Sequence, residues 1–522
     1  MKNLRVVVCS SACILFTLAS LGCGSGSFTP SLTTIAPTSN PLVAQYSIRH
    51  FHAGLSAWVE FGPDTNYGRQ TSTMTNSVTS DGGVQLNILV AGMKPQTTYH
   101  MRAHVDWAGG SWVDQDQTFT TGALATSLAA ASAPQAPGIT VARPTPNLTP
   151  AAGVELLSLT SITGANVMSE LVTDLQGNII WYCPGSATPT KLLQNGHFIV
   201  NHAIDLQEID LACALVRDVS VAQVNQSLQA NGYDFTIATG NLVAGGSPFH
   251  HDMLVLPNGH WIALCQVVKD FTDLTGYPGT TQVVGDALVD IDLNGNVVWA
   301  WNSFDHLDVN RHPYFGLPDW THSNAIVYTP DNNLLLSMRD QSWILKIDYA
   351  NGTGSGNILW KLGPDGDFTL LGGDPTQWFY SQHYPNIVST DGSTMMLAVW
   401  DNGNYRTDSG GVACGISSSA PACYSRATIF NVDESTNLAS LLWDDLPDFY
   451  SFWGGSIGQL SNGDVEFDSS EPFFPTTPSA SQINEVTQTS NPQIVWQMTL
   501  TGANSYRGYR IPSLYPGVTW QQ

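Results

Sequence analysis

GNVVW, residues 295–299, sets a Gly-Asn turn pair ahead of two β-branched residues and a tryptophan. Turn residues break one strand and β-branched residues favour the next, so the phrase reads as the entry into a strand. It returns as GNIIW (177–181) and GNILW (356–360), and more weakly as SLLW (440–443) and QIVW (493–496). The tryptophans at 181, 299, 360, 443 and 496 stand 118, 61, 83 and 53 residues apart. The first step is about two units long, and TGNLVAGG (239–246) fits the missing copy. A second phrase runs in parallel: LLQNGHFIV, VLPNGHWIAL, YTPDNNLLLS, VSTDGSTMMLA and QLSNGDVEF, each a strand, a tight Asn/Asp-Gly-type turn and a strand.

A period of this order with several short strands per unit predicts propeller blades, and the missing copy brings the count to six. A β-helix is the alternative, but its repeats are much shorter. Composition agrees. With 47 Gly, 29 Pro and only 11% charged residues among 522, the chain is turn-rich and all-β rather than a helical bundle. The net charge is −24 with 18 Lys+Arg and no basic stripe, which argues against a nucleic-acid partner.

The N-terminus reads as a targeting segment. Lys2 and Arg5 precede an apolar run from Val6 to Leu18, too short to span a bilayer comfortably. LASLGCGSGS then sets Cys23 in a lipoprotein-type box, with Ser20 where the strict pattern has Leu. Residues 1–23 are therefore expected to be a signal with Cys23 as lipid anchor, plain signal cleavage being the alternative. The mature protein is expected to be exported to the periplasm or to the outer membrane or cell surface, membrane-bound through the anchor.

Residues 24–41 read as a Ser/Thr/Pro-rich linker and 42–122 as a small domain of alternating strands. Within it, Gly92, Pro95, Thr98 and Tyr99 resemble the fibronectin type III signature, in which a tyrosine hydroxyl closes a corner. The simplest role for this domain is a spacer or docking module. Residues 123–142 form an Ala/Pro-rich linker, and 143–522 the propeller. The fold expected is thus all-β, a six-bladed β-propeller preceded by a small fibronectin type III-like β-sandwich.

Export permits disulfides. Cys9 and Cys13 leave with the signal, and Cys414 and Cys423 bracket a short loop and are expected to pair. Cys183, Cys213 and Cys265 leave an odd count, so at least one should be a buried thiol. There is no CxxC spacing, and neither metal nor cofactor is expected.

Three blades carry a histidine at one phase. His250 lies nine residues before Gly259, His383 nine before Gly392, and His322 ten before Asn332 at the equivalent turn. A lone histidine is most often a satisfied core residue, but three in register at the heads of inner strands should converge near the axis. Phase favours His250, while a one-residue slip would turn His251 inward instead. His322 and Asn324, at i and i+2 of a strand, should share a face. Arg339 closes the partner strand, where its planar fork could meet an oxyanion; the alternative is a surface Arg339–Asp340 turn.

DWTHSNAIVY (319–328), SMRDQSWILKID (337–348), ILWKLG (358–363), QHYPNIV (382–388) with DNGNYR (401–406), and YRGYRIPSLYP (506–516), in this order, resemble the bacterial PAPS-independent arylsulfotransferases. The resemblance implies a six-bladed propeller that moves a sulfuryl group from an aryl sulfate to a phenolic acceptor, ping-pong, through a sulfohistidine. It makes His383 the nucleophile. It sets His322, Asn324 and Arg339 on the sulfuryl oxygens, and puts a further histidine at His250 or His251. No nucleotide is implied, and the chain has no GxxxxGK[ST] loop to hold one. Competing readings are an aryl sulfate hydrolase on the same site and a non-enzymatic, surface-anchored propeller binding a polyphenol, glycan or protein. A quinoprotein dehydrogenase would share the fold but lacks its paired calcium-binding acids here. A homodimer is left open.

Overall fold

The computed structural model describes residues 32–521 except 51–53, 77–83, 125–134, 162–167, 184–189, 203, 240–246, 471 and 474–479. The expected signal, with Cys9, Cys13 and Cys23, lies outside the described residues. So does the proposed repeat copy at 239–246, apart from Thr239.

Six sheets, each built on four antiparallel strands, carry most of the described residues, and two of them gain a fifth strand at the outer edge: Thr369–Leu370, which pairs parallel, and Gly138–Ala142. Their first strands are Thr190–Leu192, Phe249–Val255, Ser323–Tyr328, His383–Asp391, Ser456–Gln459 and Ala503–Ile511. Five sheets run in chain order from that strand outward. The sixth joins the two ends of the region: Ala503–Ile511 pairs with Val154–Ser161, which continues to Glu170–Thr173 and Ile179–Cys183. From the Phe249 strand onward, first strands pack against one another in order. The ring closes where the Tyr509 hydroxyl donates to the Thr190 carbonyl and Lys191 Nζ to the Met253 carbonyl.

The repeated tryptophans explain themselves. Each stands in the fourth strand of its sheet, and four of the five donate their indole N–H to a carbonyl of another sheet or its loops. Trp181 reaches Leu211 at 2.8 Å, Trp299 reaches Gly354 at 3.3 Å, Trp443 reaches Thr489 at 2.9 Å and Trp496 reaches Leu175 at 2.9 Å. A buried indole needs an acceptor for its one donor, and here that acceptor lies across a sheet boundary. The Asn-Gly turns likewise take the expected form, with Gly259 at φ 83° and Asn332 in the same place at φ 63°. In the Thr190 sheet the fourth described strand is Leu215–Ser220, and the α-helix Val221–Ala230, capped by the Ser220 hydroxyl, follows directly.

Arg510 clamps the closure. Its guanidinium meets Glu155 of the joining sheet, Glu466 Oε2 at 3.0 Å and Glu485 Oε2 at 3.1 Å. Burial, and then Glu155, push the Glu466 carboxyl up against the pull of Arg510. Arg510→Ala leaves three acids buried without their cation. We expect a loss of about 3–5 kcal/mol, read as a lower urea midpoint for the propeller region; an unchanged midpoint would show that the clamp is dispensable.

The small N-terminal unit is two facing sheets. One holds Leu32–Pro37, Ala44–His50 and Val84–Val90; the other is built on Leu55–Gly62 and Thr98–Trp107. Tyr46, Ile88, Phe61 and Met101 share their core. The Tyr99 hydroxyl accepts the Lys94 N–H at 3.0 Å, closing a corner five residues back. The linker expected over 24–41 is therefore shorter, because Leu32–Pro37 pairs with Ala44–His50. The linker expected over 123–142 also ends early, because Gly138–Ala142 adds to the outer edge of the Ser456 sheet. The chain's C-terminal residues dock on the small unit: the Tyr515 hydroxyl takes the Ala91 N–H at 2.7 Å and donates to the Leu89 carbonyl at 2.8 Å.

Candidate active site

The heads of three first strands break their own alternation. His251 (φ 53°), His322 (φ 45°) and Tyr384 (φ 47°) all sit in the left-handed region, which non-glycine residues rarely occupy. Strand pairing shifts register beside each of them. The simple two-residue periodicity therefore fails at the point where it was used to aim side chains.

One consequence corrects the phase argument. His251, not His250, turns toward the other histidines: its ring centroid lies 4.8 Å from that of His322 and 5.8 Å from that of Tyr506. His250 sits behind it, with Nδ1 2.7 Å from His251 Nδ1 and Nε2 3.2 Å from Asp286 Oδ1. Asp286 is buried and also accepts from the Thr321 hydroxyl and the Ser323 N–H, each at 2.6 Å, so it fixes two strand heads together. The carboxylate favours a proton on His250 Nε2. His250 Nδ1 then accepts from His251 Nδ1–H, and the Nε2 lone pair of His251 is left free.

Asn324 is also placed differently. It is fully buried, and its Nδ2 donates to the Gln382 carbonyl at 2.7 Å, tying its strand to the His383 strand. Its backbone carbonyl accepts from Arg507.

His383 is 2% exposed, and its protonation can be read from its partners. Asn402 Nδ2 donates to the carbonyls of Ser451 (2.9 Å) and Gly454 (3.1 Å), so its Oδ1 faces the imidazole as an acceptor, 2.7 Å from Nδ1. The proton therefore sits on Nδ1 and Nε2 carries the lone pair. That nitrogen accepts the Gly454 N–H at 3.2 Å. Burial and then the Arg339 guanidinium push His383 well below the ordinary imidazole value, against the Asn402 hydrogen bond that raises it. Burial and the neighbouring histidines do the same to His251. Both rings are neutral at pH 7.

His322 is the opposite case. Burial pulls its pKa down, but the Asp319 carboxylate, 2.6 Å from Nδ1, and Asp340 outweigh it and raise the group above its ordinary value. Arg339 stands beside it, its backbone N–H donating to the His322 carbonyl at 3.2 Å. It is no surface turn: the side chain is 6% exposed, Nη1 donates to Asp340 Oδ1 at 2.7 Å, and the guanidinium lies 4.4 Å from the Phe315 ring centroid and 5.2 Å from that of Phe452. Nε is buried without a hydrogen-bond partner among the described residues. Asp319, His322 and Asp340 also bring three donor atoms within 4.8 Å of one another, a spacing a metal could use. Asp319 is already paired to His322 and Asp340 to Arg339, so the cluster is complete as an ion-pair network.

The sequence reading missed several neighbours. Tyr506 lies between His251 and His383, at 5.8 and 6.4 Å between ring centroids, and its buried hydroxyl makes no well-formed hydrogen bond among the described residues. Arg507 bonds Asp252 at 2.9 Å across the ring. Asn402 and Tyr506 both stand in motifs quoted above, DNGNYR and YRGYRIPSLYP, so the signal was present but carried no assigned role. Cys414 and Cys423 pair as a disulfide, with Cα atoms 5.1 Å apart. Cys183 and Cys213 are also paired, 5.8 Å apart, which leaves Cys265 as the buried free thiol.

Comparisons with solved structures give only remote likeness. A protein of unknown function from Bacteroides caccae aligns at 10% identity and TM-score 0.38, covering 68% of this chain and 98% of that one. A streptogramin B lyase aligns at 11% identity and TM-score 0.27, covering 70% and 98%. A europium-containing methanol dehydrogenase aligns at 8% identity and TM-score 0.27, covering 74% and 81%. No curated protein matches. Residues 145–510 match the arylsulfotransferase (ASST) family, a span that includes every strand head and every residue of the histidine cluster, and the chain belongs to that family.

Proposed function

We propose that the protein is an exported, PAPS-independent arylsulfate sulfotransferase in which His383 carries the sulfuryl group between a donor aryl sulfate and an acceptor phenol. The ring of sheets is read as a six-bladed β-propeller, and the small sandwich, with its Tyr99 corner, as fibronectin type III-like. The Cys23 anchor and a place in the periplasm or on the outer membrane or cell surface belong to the same proposal. One observation carries the chemistry: a neutral imidazole with its lone pair on Nε2 is held beside a guanidinium and a second histidine of raised pKa.

Sulfuryl transfer resembles phosphoryl transfer, with charge spread over three equatorial oxygens and an in-line path, so positioning and cationic contacts dominate. In the first half-reaction His383 Nε2 bonds to sulfur as the sulfur–aryl oxygen bond breaks. His322, as imidazolium, gives a proton to the departing phenolate. In the second, an acceptor phenol attacks sulfur, the N–S bond breaks, and the phenol proton passes to neutral His322. The two halves return both histidines to their starting states. Arg339, with its unpartnered Nε, and the Tyr506 hydroxyl face the sulfuryl oxygens. Asn324 acts through the strand it ties, and His251 packs behind His322.

The pH dependence follows from the two shifts. His383 is held below the ordinary value, so it stays neutral and imposes no acid limb near pH 6. His322 is held above it, so it keeps its proton to higher pH than a free imidazole and loses it as pH rises. kcat/KM for the donor should show no acid limb near pH 6 and should fall as pH rises through the raised His322 value. Asp319→Asn removes the partner that raises His322 and should move that fall to lower pH. An alkaline limb unmoved by Asp319→Asn would remove His322 from the proton path.

Transfer is separated from hydrolysis by adding a second phenol. Release of the donor phenol should accelerate, with parallel-line kinetics and the sulfuryl group recovered on the acceptor. Equally fast release without acceptor, yielding free sulfate, would make the protein a hydrolase.

A further inference from the structure

We infer that the cleft between the Cys414–Cys423 loop and the Tyr450–Phe452 segment seats the aromatic ring of a free phenol, with its hydroxyl directed toward His383. This assignment rests on the sulfuryl-transfer reading and names where that reaction holds its ring. The cleft has a volume of about 240 Å³ and is lined by Asn404, Tyr405, Tyr450, Phe452 and the two cysteines. That is below the ~300–1,000 Å³ typical of drug-sized ligands, so it suits a small planar molecule.

Its chemistry suits a neutral ring. Three aromatic faces line it, and no charged side chain does. Its one amide is occupied internally: Asn404 Oδ1 accepts the Tyr450 hydroxyl, and Nδ2 donates to the Phe452 carbonyl at 2.8 Å. Burial pushes the Tyr450 phenol up to about 12, so it stays neutral.

The cleft is also joined to the reacting groups by short steps. Phe452 lies 5.2 Å from the Arg339 guanidinium, and Phe315, on that same guanidinium, lies 5.1 Å from the Tyr405 ring. Two residues beyond Phe452, the Gly454 N–H reaches His383 Nε2 at 3.2 Å. Two peptide units span at most about 7.6 Å between Cα atoms. Gly454 holds φ 64°, and a Cβ there would stand 2.2 Å from Ser470 Oγ, so the segment is fixed against the ring of sheets. On the far side, Cys414 N donates to the Arg406 carbonyl at 2.9 Å and Gly415 N to Pro421 at 3.0 Å, which holds the disulfide wall in place. Phe452, 38% exposed, and Ile416, 60% exposed, leave an apolar lip at the solvent side.

The test measures binding apart from turnover. The fluorescent phenol 4-methylumbelliferone, which carries no sulfuryl group, is titrated into the mature protein and into Phe452→Ala and Phe452→Leu. Loss of one aromatic contact and its buried area should weaken binding by about tenfold in Phe452→Ala, with partial recovery in Phe452→Leu. The acceptor KM should rise by at least the same factor; because Phe452 also flanks the Arg339 guanidinium, the phenol titration rather than kcat decides the seat. Unchanged phenol binding in Phe452→Ala, in a protein that transfers sulfuryl groups, would overturn the seat and leave the transfer reading intact. Phenol binding that weakens as expected in a protein that transfers nothing would support the seat and remove the transfer reading. A wild-type protein that does not bind the phenol would also overturn the seat.

Discussion

His383→Ala is expected to abolish release of phenol from an aryl sulfate donor, with a loss in kcat on the order of 10⁴-fold or more, the scale seen when an enzyme's covalent nucleophile is deleted. No neighbour can take its place. Asp319 and Asp340 favour the protonated form of His322, which has no lone pair to offer. His251 has one, but its Nδ1 is bonded to His250 and its ring packs against His322. The alanine variant should keep its fold, since among the described residues the imidazole bonds only Asn402 and Gly454 and the strand pairs through its backbone. A burst of phenol from His383→Ala in the absence of acceptor would contradict the assignment.

Arg339→Ala should cost on the order of 10²–10³ in kcat, the range for removing a preorganised donor from a site where charge develops. The guanidinium packs against two phenylalanine rings and is bonded to Asp340, so it is held in place before any charge develops. Arg339→Lys keeps the charge but loses the planar fork and its fit between the rings, and should recover less than about tenfold of the loss. The measurement is kcat at saturating donor and acceptor. An alanine variant within tenfold of wild type would show that the sulfuryl oxygens are held elsewhere.

Much of this was legible in the sequence because it repeats. The GN-x-x-Trp phrase marks the fourth strand of a sheet, and the Asn-Gly phrase marks the turn after five of the six first strands. Both are local patterns with local causes. Placing three histidines at strand heads needed only the register between them and those turns. What failed was side-chain direction. Strict alternation favours His250 over His251 and sets Asn324 on the face of His322, but His251 and His322 adopt positive φ, where alternation does not hold. No local pattern announces that conformation in a histidine. Asn402 and Asp319 were missed for a different reason. They bond His383 and His322, and a contact of that kind depends on which side chain lies opposite, which the fold alone decides. The same holds for Tyr506, delivered by the strand that closes the ring from the other end of the chain. The fourth strand of the Thr190 sheet, Leu215–Ser220, carries no tryptophan, so the repeated phrase does not mark it.

The proposed mechanism requires a covalent bond between sulfur and His383 Nε2. Mass spectrometry of the protein after incubation with excess activated aryl sulfate and no acceptor, kept at neutral or alkaline pH to preserve the N–S bond, looks for that bond. One added sulfuryl mass is expected on the peptide containing His383, absent from His383→Ala and discharged by added phenol. The same mass found on His322 or His251, or on no peptide while phenol is still released, would contradict it.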